Sequence, residues 1–498
     1  MNGSGATNLV QFNSLHLYPD PARVYSTLFM PGEDLPGDSS RATAVIDRVL
    51  HMESPEVDDA LADLRTRFAD RDSLDETFQR NFEFLAHRLG ARTRPSREHQ
   101  LLIGAYFTHD VSPEGAALTN PSIVAHPDQS GLQPGELRVI LSLRAIGEGH
   151  ISSIEFRTGV VTAEGRVRLD IPGTQLQTPH QQVSSYRRAD FWAQLGELGS
   201  ADETGQRILE SVGATFDRSS LDQAISRLDA HSLARKTSRE TLNRLRWIAD
   251  NHYKVAFAPT SAISERILVP TSPTESNGIE DARFVRFVDD DGVVTYFATY
   301  TAYDGHQVRS QLLRTDDFLT FTAGQLAGPA AGNKGMALFP RRIGGRYASL
   351  SRWDRESSFV SWSDDATTWD SATPIHTPSQ PWNLIQVGNC GSPLETPEGW
   401  LVLTHGVGPM RTYAIGAMLL GLDDPSHVLS ALPGPLIAPR NEERRGYVPN
   451  VVYSCGGILH GEHLVLPYGF GDQAITIATI DLPRLLQTLA DAAKLTRT

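Results

Sequence analysis

The order of hydrophobic and polar residues predicts an N-terminal part that is rich in helix. Residues 1 to about 40 contain many Gly, Ser and Pro residues without a regular apolar pattern, so we expect an irregular arm there. Over residues 42–89 the apolar positions recur at steps of three and four, which is typical of amphipathic helices, and Pro55 interrupts this pattern. Another helix is expected to start near Ser73. The sequence therefore predicts a helical N-terminal extension over residues 1–100.

Near residue 100 the pattern changes to short apolar runs of the kind that form strands. The runs at 101–107, 138–143 and 153–157 are bounded by Gly, Pro, Asn or Asp. We expect them to be the first strands of a β domain over residues 101–188.

A second helical block is predicted at 189–253, where apolar residues again follow a helical period. This block is neither Gly/Ser-rich nor low in complexity, so it favours an insertion within a β fold over a linker. From 254 to 498 the chain has a strand-and-turn pattern, and it ends with a short helix at 482–493.

A faint internal repeat lies within this last β region. Thr-Asp-Asp-Phe at 315–318 leads to Phe321, and Ser-Asp-Asp-Ala at 363–366 leads to Trp369, with the aspartates 48 residues apart, since 364 − 316 = 48. A turn of this composition that recurs once per unit suits a β-hairpin. The period fits propeller blades of about 40–50 residues, with a sandwich or jelly roll as the alternative.

Composition limits the classes of partner and the compartment. Hydrophobic residues make up 40% of the chain and charged residues 21%, as in ordinary globular proteins. The net charge of −14 disfavours nucleic acid and anionic membranes as main partners. Cys390 and Cys455 are the only cysteines, which suits a reducing compartment. The polar N-terminus lacks the apolar core of a signal peptide, so we expect a cytoplasmic protein.

The first candidate for chemistry is the segment from Gly278 to Arg283. Glu280 and Asp281 stand at the start of a strand-like run, where a carboxylic acid is well placed for proton transfer. If the segment is extended, adjacent side chains point to opposite sides, so only one of the two carboxylates can face a substrate. The alternative is that both cap a turn and pair with Arg283.

The second candidate is a set of cationic and polar side chains at the ends of successive predicted strands. Lys334, Arg352, His405, Arg411 and Tyr413 form this set. Each alone is more often a surface or core residue, but together they would make a local anion site in an acidic protein.

No phosphate loop, dinucleotide fingerprint, nucleophile elbow or His-Glu-x-x-His sequence occurs in the chain. The spacing of His460-Gly461-Glu462-His463 matches no standard metal site. The sequence therefore predicts no cofactor and no metal.

Five segments in order along the chain resemble the inverting β-mannoside phosphorylases and their hydrolytic relatives, glycoside hydrolase family 130. These segments are 277–284, 334–342, 388–396, 404–411 and 468–472. The resemblance covers residues 255–480 strongly and 110–160 weakly. It implies a mainly β fold, a five-bladed β-propeller with a helical N-terminal region and a helical insertion.

The resemblance also implies a role for each candidate residue. Asp281 is the expected proton donor. The expected phosphate-binding residues are Lys334, Arg352, His405 and Tyr413, and the expected substrate-binding residues are Asn120, Ser122, Arg144 and Asp472.

Two positions depart from the family pattern. Ala282 replaces the usual proline, and the segment 386–393 lacks the lysine that the phosphorylases usually carry there. Arg411 or Arg342 could compensate for this lysine.

The expected function is phosphorolysis of a β-mannosidic bond, or its reverse, with inorganic phosphate as co-substrate. A phosphorylase needs only the acid, whereas an inverting hydrolase needs a second carboxylate as base. One alternative is therefore an inverting β-mannosidase with Glu280 or Glu395 as base, and another is a non-catalytic propeller that binds glycans. The helical blocks could close the cleft or form the interface of a homo-oligomer.

Overall fold

The structure is a computed structural model that describes residues 9–32, 40–71, 73–89, 93–228 and 236–495. The chain divides into two compact units. The larger unit comprises Met1–Asp20, Glu114–Pro172 and Gln177–Thr498, and the smaller comprises Pro21–Pro113 and Gly173–Leu176. Among the described helices, none has both the length and the apolar character needed to cross a membrane.

The described helices, in chain order, are α1 (Arg41–Leu50), α2 (Ser54–Arg67), α3 (Leu74–Leu85), α4 (Arg97–Tyr106), α5 (Arg188–Glu197), α6 (Glu203–Glu210), α7 (Arg218–Ser226), α8 (Lys236–Asp250) and α9 (Leu482–Leu495).

The first half of the described strands comprises β1 (Val10–Leu17), β2 (Tyr25–Leu28), β3 (Thr108–Val111), β4 (Ala117–Ala125), β5 (Leu137–Ile146), β6 (Ser152–Val161), β7 (Val167–Leu169), β8 (His180–Gln182), β9 (Tyr186–Arg187), β10 (Thr215–Phe216), β11 (Tyr253–Ala256), β12 (Ile267–Leu268), β13 (Ile279–Val288), β14 (Val294–Tyr303) and β15 (Val308–Thr315). The second half comprises β16 (Thr320–Gln325), β17 (Ala337–Leu338), β18 (Tyr347–Ser351), β19 (Ser358–Ser363), β20 (Ser371–His376), β21 (Gln386–Asn389), β22 (Leu394–Thr396), β23 (Gly399–Gly408), β24 (Thr412–Leu420), β25 (Val428–Ala431), β26 (Val452–Tyr453), β27 (Ile458–His460), β28 (His463–Phe470) and β29 (Ala474–Asp481).

The smaller unit packs α1–α4 around one apolar core, with β2 and β3 paired beside it. The strand prediction for residues 101–107 was wrong, because this run lies mostly in α4. The side chain of Ser96 caps α4 by accepting a hydrogen bond from the backbone N–H of His99 at 3.2 Å. Leu101, Leu102 and Ile103 are all buried in this core, and so short an apolar run cannot distinguish a buried helix from a strand.

The larger unit contains five antiparallel sheets of four to six strands. We number them by position in the chain, with the strands in pairing order: sheet 1 is β4-β5-β6-β12, sheet 2 is β13-β14-β15-β16-β11-β8, sheet 3 is β17-β18-β19-β20, sheet 4 is β21-β23-β24-β25 and sheet 5 is β26-β28-β29-β1. In each sheet the first-named strand is an edge. The protein is thus mainly β, as expected.

Each sheet is hydrogen-bonded to the next, and sheet 5 is bonded to sheet 1. One bond from each boundary, given as donor and acceptor, is Phe284 N to Ser122 Oγ at 3.2 Å, Val288 N to Pro340 O at 2.9 Å, Val387 N to Glu356 O at 2.8 Å, Tyr413 N to Asn450 O at 3.0 Å, and Cys455 N to Pro121 O at 2.7 Å. The boundaries are those of sheets 1–2, 2–3, 3–4, 4–5 and 5–1, in that order.

The N-terminal segment corrects a second prediction. An irregular arm was expected over residues 1–40, but β1 pairs antiparallel with β29, with Val10 opposite Ile480. Most side chains of β1 are exposed or half-buried. Because an edge strand buries little of its surface, its sequence is more polar than that of a central strand and gave no strand signal.

Four helices, α5–α8, lie where the second helical block was predicted. They pack around their own core, which includes Phe191, Leu221 and Leu245. The chain then returns to sheet 2, where the side chain of Asn251 accepts a hydrogen bond from Thr274 N at 3.1 Å.

The two copies of the internal repeat form matching turns. The first joins β15 to β16, and Asp317 Oδ1 accepts a hydrogen bond from Thr320 N at 2.9 Å. The second joins β19 to β20, and Asp365 Oδ1 accepts from Thr368 N at 3.0 Å. The predicted hairpins are therefore confirmed.

Candidate active site

Asp281 lies at the start of β13, at a break in the strand. The register of β13 against β14 shifts between Glu280 and Arg283, and Asp281 has a left-handed φ of 55°. Just before it, Gly278 has a φ of 133°, and a Cβ there would lie 2.4 Å from Ser152 Oγ. Only glycine fits this position, so the backbone is fixed where the carboxylates emerge.

The break turns both carboxylates toward one guanidinium. Arg144 Nη2 lies 2.7 Å from Glu280 Oε1, and Arg144 Nη1 lies 3.6 Å from Asp281 Oδ1. The side-chain amide of Asn120 also donates to Asp281 Oδ1. The prediction that only one carboxylate could face the site was wrong, because it assumed an extended strand and this segment contains a bulge.

Asn120 and Asp472 lie beside Asp281, as their predicted shared role requires. Both have left-handed φ values, 49° for Asn120 and 47° for Asp472. Thr119 Oγ1 joins them, since it lies 3.0 Å from Asn120 Oδ1 and 3.5 Å from Asp472 Oδ1. Non-glycine residues in this conformation are uncommon and often occur at functional sites.

Ser122 has a different position from the one expected of a sugar-binding residue. Its side chain is fully buried, and its Oγ accepts a hydrogen bond from Phe284 N at 3.2 Å. Ser122 therefore connects β4 to β13, and direct contact with a substrate does not fit its burial.

The cationic side of the site is connected to the acidic side. Lys334 Nζ lies 3.9 Å from Glu280 Oε2. The neighbouring Asn333 donates its side-chain amide to the backbone oxygen of Arg352 at 2.8 Å. These contacts bring Lys334 and Arg352 together at the site, as the sequence predicted.

Arg352 is oriented by His405. Nη1 of Arg352 lies 3.2 Å from His405 Nε2, and His405 Nδ1 lies 3.3 Å from the backbone oxygen of Asn389. A carbonyl oxygen can only accept, so Nδ1 carries the proton of a neutral ring and Nε2 accepts from Arg352. His405 thus positions the arginine rather than offering an N–H toward the site.

Two residues that the sequence analysis did not select join the two sides. Arg283 donates to the backbone oxygen of Asp281 at 3.0 Å and to the hydroxyl of Tyr453 at 2.8 Å. The ring of Tyr453 contacts His405 edge-on at 4.9 Å, and Tyr413 stacks on His405 at 6.2 Å. Arg283 was expected at most to pair with a carboxylate, and only its position two residues after Asp281 could have identified it.

The site shifts the pKa values of three groups in different directions. Burial would raise the pKa of Asp281, but Arg144, Arg283 and Lys334 outweigh it, and the pKa is lowered. For Asp472, burial and the charge of Asp281 raise the pKa. Burial, together with Arg352 and Arg283, holds the pKa of His405 well below its usual value. At neutral pH the free site therefore contains an ionised Asp281 and a neutral His405.

The strand that lacks the family's lysine lies against His405. Gly388 of β21 faces His405 of β23, and a Cβ at Gly388 would lie 2.4 Å from the Cε1 of the ring. Arg342 is not free to replace the lysine, since its Nε lies 2.7 Å from Asp289 Oδ1. Arg411 is exposed, and its charge acts to lower the pKa of Asp472. Arg411 is therefore the nearer substitute.

Glu395, one of the two glutamates considered as a hydrolytic base, lies elsewhere. It forms a two-point ion pair with Arg341, at 2.7 and 2.9 Å. It also lines a cavity of about 260 Å³ together with Ala125. Ala125 is five residues beyond Asn120 on β4, or roughly 15 Å along a strand, so this cavity is at the other end of the inner strands.

Known proteins similar to this chain come from one group of enzymes. The family model described as beta-1,4-mannooligosaccharide phosphorylase matches residues 258–491. The chain is 32% identical to a 1,2-beta-oligomannan phosphorylase of Thermoanaerobacter sp. (strain X514) over 213 residues, which is 42% of this chain and 70% of that protein. It is 30% identical to a beta-1,2-mannobiose phosphorylase of Listeria innocua over 235 residues, which is 46% of this chain and 64% of that protein.

A solved structure of beta-1,2-mannobiose phosphorylase from Listeria innocua, in complex with beta-1,2-mannobiose, is also similar. The TM-score is 0.46 and the identity 21%, over 75% of this chain and 92% of that chain.

Proposed function

This chain belongs to glycoside hydrolase family 130, and on that premise we propose that it is an inverting β-mannoside phosphorylase. The enzyme cleaves a β-mannosidic bond with inorganic phosphate and releases α-mannose 1-phosphate, or it forms the bond in reverse. The observation that carries this proposal is the direct connection of Asp281 to a cationic cluster through Arg283 and Tyr453.

The proposed reaction uses one acid and no protein nucleophile. A phosphate oxygen attacks the anomeric carbon of the mannosyl unit while its bond to the leaving oxygen breaks on the opposite face, and the proton of Asp281 passes to that oxygen. Arg352, oriented by His405, binds the phosphate together with Lys334 and Tyr413. Asn120, Arg144 and Asp472 bind hydroxyls of the mannosyl unit, while Ser122 supports them from behind β4.

The low pKa of Asp281 in the free site suits this order of events. The carboxylate is ionised because three cations surround it. A phosphate dianion beside Lys334 would offset part of that positive charge and raise the pKa of Asp281. The acid then gains its proton when the nucleophile is bound, which would limit wasteful reaction with water.

We also propose that the larger unit is a five-bladed β-propeller with the site at one end of its axis. Two observations support it. The five sheets are hydrogen-bonded in cyclic order, and residues from or next to the first strand of every sheet line the cavity of about 260 Å³. That arrangement is expected when five blades surround a common axis.

Incubation with β-mannobioses of different linkage, with and without phosphate, tests the proposed function. We expect α-mannose 1-phosphate only when phosphate is present. Free mannose without any phosphate requirement would instead identify a β-mannosidase, and saturable binding without products would identify a glycan-binding propeller. A hydrolytic role for Glu280 is disfavoured, because Arg144 and Lys334 hold it on the same side as Asp281.

A further inference from the structure

An exposed aromatic pair lies beside the proposed substrate pocket. Tyr447 precedes β26, and 59% of the residue is exposed. Its ring stacks on that of His150 with a centroid distance of 6.0 Å and an interplanar angle of 29°. The hydroxyl of Tyr447 also lies 3.5 Å from His150 Nδ1. One ring is thus supported by the other while remaining open to solvent.

The backbone on both sides of Tyr447 is fixed to the turn that carries Asp472. A Cβ at Gly446 would lie 2.4 Å from Gly471 O, so this contact requires glycine. On the other side, Val448 N donates to Gly471 O at 2.8 Å. Because Gly471 is adjacent to Asp472, the Tyr447 ring is held next to the carboxylate that we assign to mannosyl binding.

His150 comes from a second element of the same site. It lies in the turn between β5 and β6, and β5 carries Arg144. His150 has a left-handed φ of 59°, and its N–H donates to Gly147 O at 3.1 Å. A non-glycine residue in this conformation requires support from its surroundings. The turn therefore presents the imidazole in a defined direction, toward Tyr447.

We propose that the His150–Tyr447 pair is a binding platform for a second sugar unit, so that the enzyme acts preferentially on mannosides of three or more units. An exposed, rigid tyrosine offers an apolar face to the C–H groups of a pyranose, and its hydroxyl offers a hydrogen bond. The pair lies beside Asp472, where a unit adjoining the bound mannosyl group would be. This inference rests on the proposed function, because it extends the same substrate site.

Chain-length preference tests the platform. The ratio of kcat/KM for a β-mannotriose to that for the matching mannobiose is measured in the wild type and in Tyr447→Ala, Tyr447→Phe and His150→Ala. We expect the ratio to fall about three- to tenfold in Tyr447→Ala, as for the loss of one aromatic contact, and to stay within about twofold in Tyr447→Phe. His150→Ala should lower the ratio in the same direction. Equal losses for both sugars, or an unchanged ratio in Tyr447→Ala, would overturn the proposal.

A matched control exists in the same unit. Tyr18 is 60% exposed and stacks on His16 at 6.2 Å, close to the geometry of the proposed platform. His16 lies on β1, which is separated from β26 by β28 and β29. Tyr18→Ala should leave the ratio unchanged. If it lowers the ratio as much as Tyr447→Ala does, the effect is not specific to the platform and the proposal fails.

Calorimetric titration of the triose and the biose without phosphate separates the platform from the proposed reaction. If the wild type binds the triose more tightly and Tyr447→Ala loses that preference, the platform stands even when no mannose 1-phosphate ever forms. If mannose 1-phosphate forms but the preference is the same in both proteins, the proposed reaction stands and the platform is refuted.

Discussion

Adding one methyl group at Gly388 should weaken the use of phosphate without touching the phosphate-binding residues directly. In Gly388→Ala the new Cβ would lie 2.4 Å from Cε1 and 2.9 Å from Nε2 of His405. Ordinary carbon contacts are about 3.5 Å or longer, so the ring must move by about 1 Å. The contact between His405 Nε2 and Arg352 Nη1 is 3.2 Å, and a shift of that size removes it as a hydrogen bond.

The expected size of the effect follows from that lost bond. A hydrogen bond to a charged group contributes about 1.5–3 kcal/mol, which corresponds to roughly a 10- to 100-fold change in affinity. We therefore expect the KM for phosphate to rise roughly 10- to 100-fold, with the KM for the mannoside changed much less. Overpacking also costs about 1–3 kcal/mol in stability, so the thermal midpoint should fall as well.

Initial rates of mannose 1-phosphate formation, at saturating mannoside and varied phosphate, measure this change. Gly434→Ala is the matched control, because a Cβ there would have no atom within 4 Å. A folded Gly388→Ala enzyme whose phosphate KM is within twofold of the wild-type value would refute the role of His405 in orienting Arg352.

Three further predictions address the acid, a buried carboxylate and pH. Asp281→Asn should lower kcat by about 10²- to 10⁴-fold while mannoside binding changes only severalfold, and near-normal turnover would exclude Asp281 as the acid. Glu275→Gln should lower the free energy of unfolding by about 2–4 kcal/mol in a denaturant titration, because Glu275 is buried and accepts from Tyr253, Thr271 and Ser272 at 2.8–3.0 Å, and an amide would turn a donor toward these donors; the half-exposed Glu265→Gln is its control, and equal stabilities would contradict the reasoning. The pKa of His405 is held below its usual value of about 6.5, so the unfolded chain takes up the proton first and the stabilising effect of the neutral ring, fully present above that pH, is lost as the pH falls. The stability difference between the wild type and His405→Asn should therefore shrink below about pH 6.5, and a difference that grows there would show the opposite shift.

The sequence was sufficient to identify most of the side chains that meet at the site. Asp281, Lys334, Arg352 and His405 were selected because charged groups stand at the ends of successive strands, and the structure connects them. Their common position follows from the topology, since every sheet begins with an edge strand near the same site. The repeated Asp-Asp turns were also predictable, because a side-chain oxygen that accepts backbone N–H groups has a recognisable local signature.

Features that depend on contacts distant in sequence were not predictable. The bulge that turns Glu280 and Asp281 to the same guanidinium depends on Ser152, which packs against Gly278. Burial by three other helices decides that α4 is helical. The arginine–tyrosine bridge joins Arg283 to Tyr453, which is 170 residues away, and no local pattern signals such a pair.

The pairing of β1 with β29 has a consequence for how the protein is made. Residues at the two ends of the chain share one sheet, so a ribosome must finish nearly the whole polypeptide before that sheet can complete itself. Until then β29, or β1 in a nascent chain, presents unpaired backbone groups that another molecule could join. Removal of the first strand should accordingly leave a protein prone to aggregate, even though every residue assigned to chemistry would still be present.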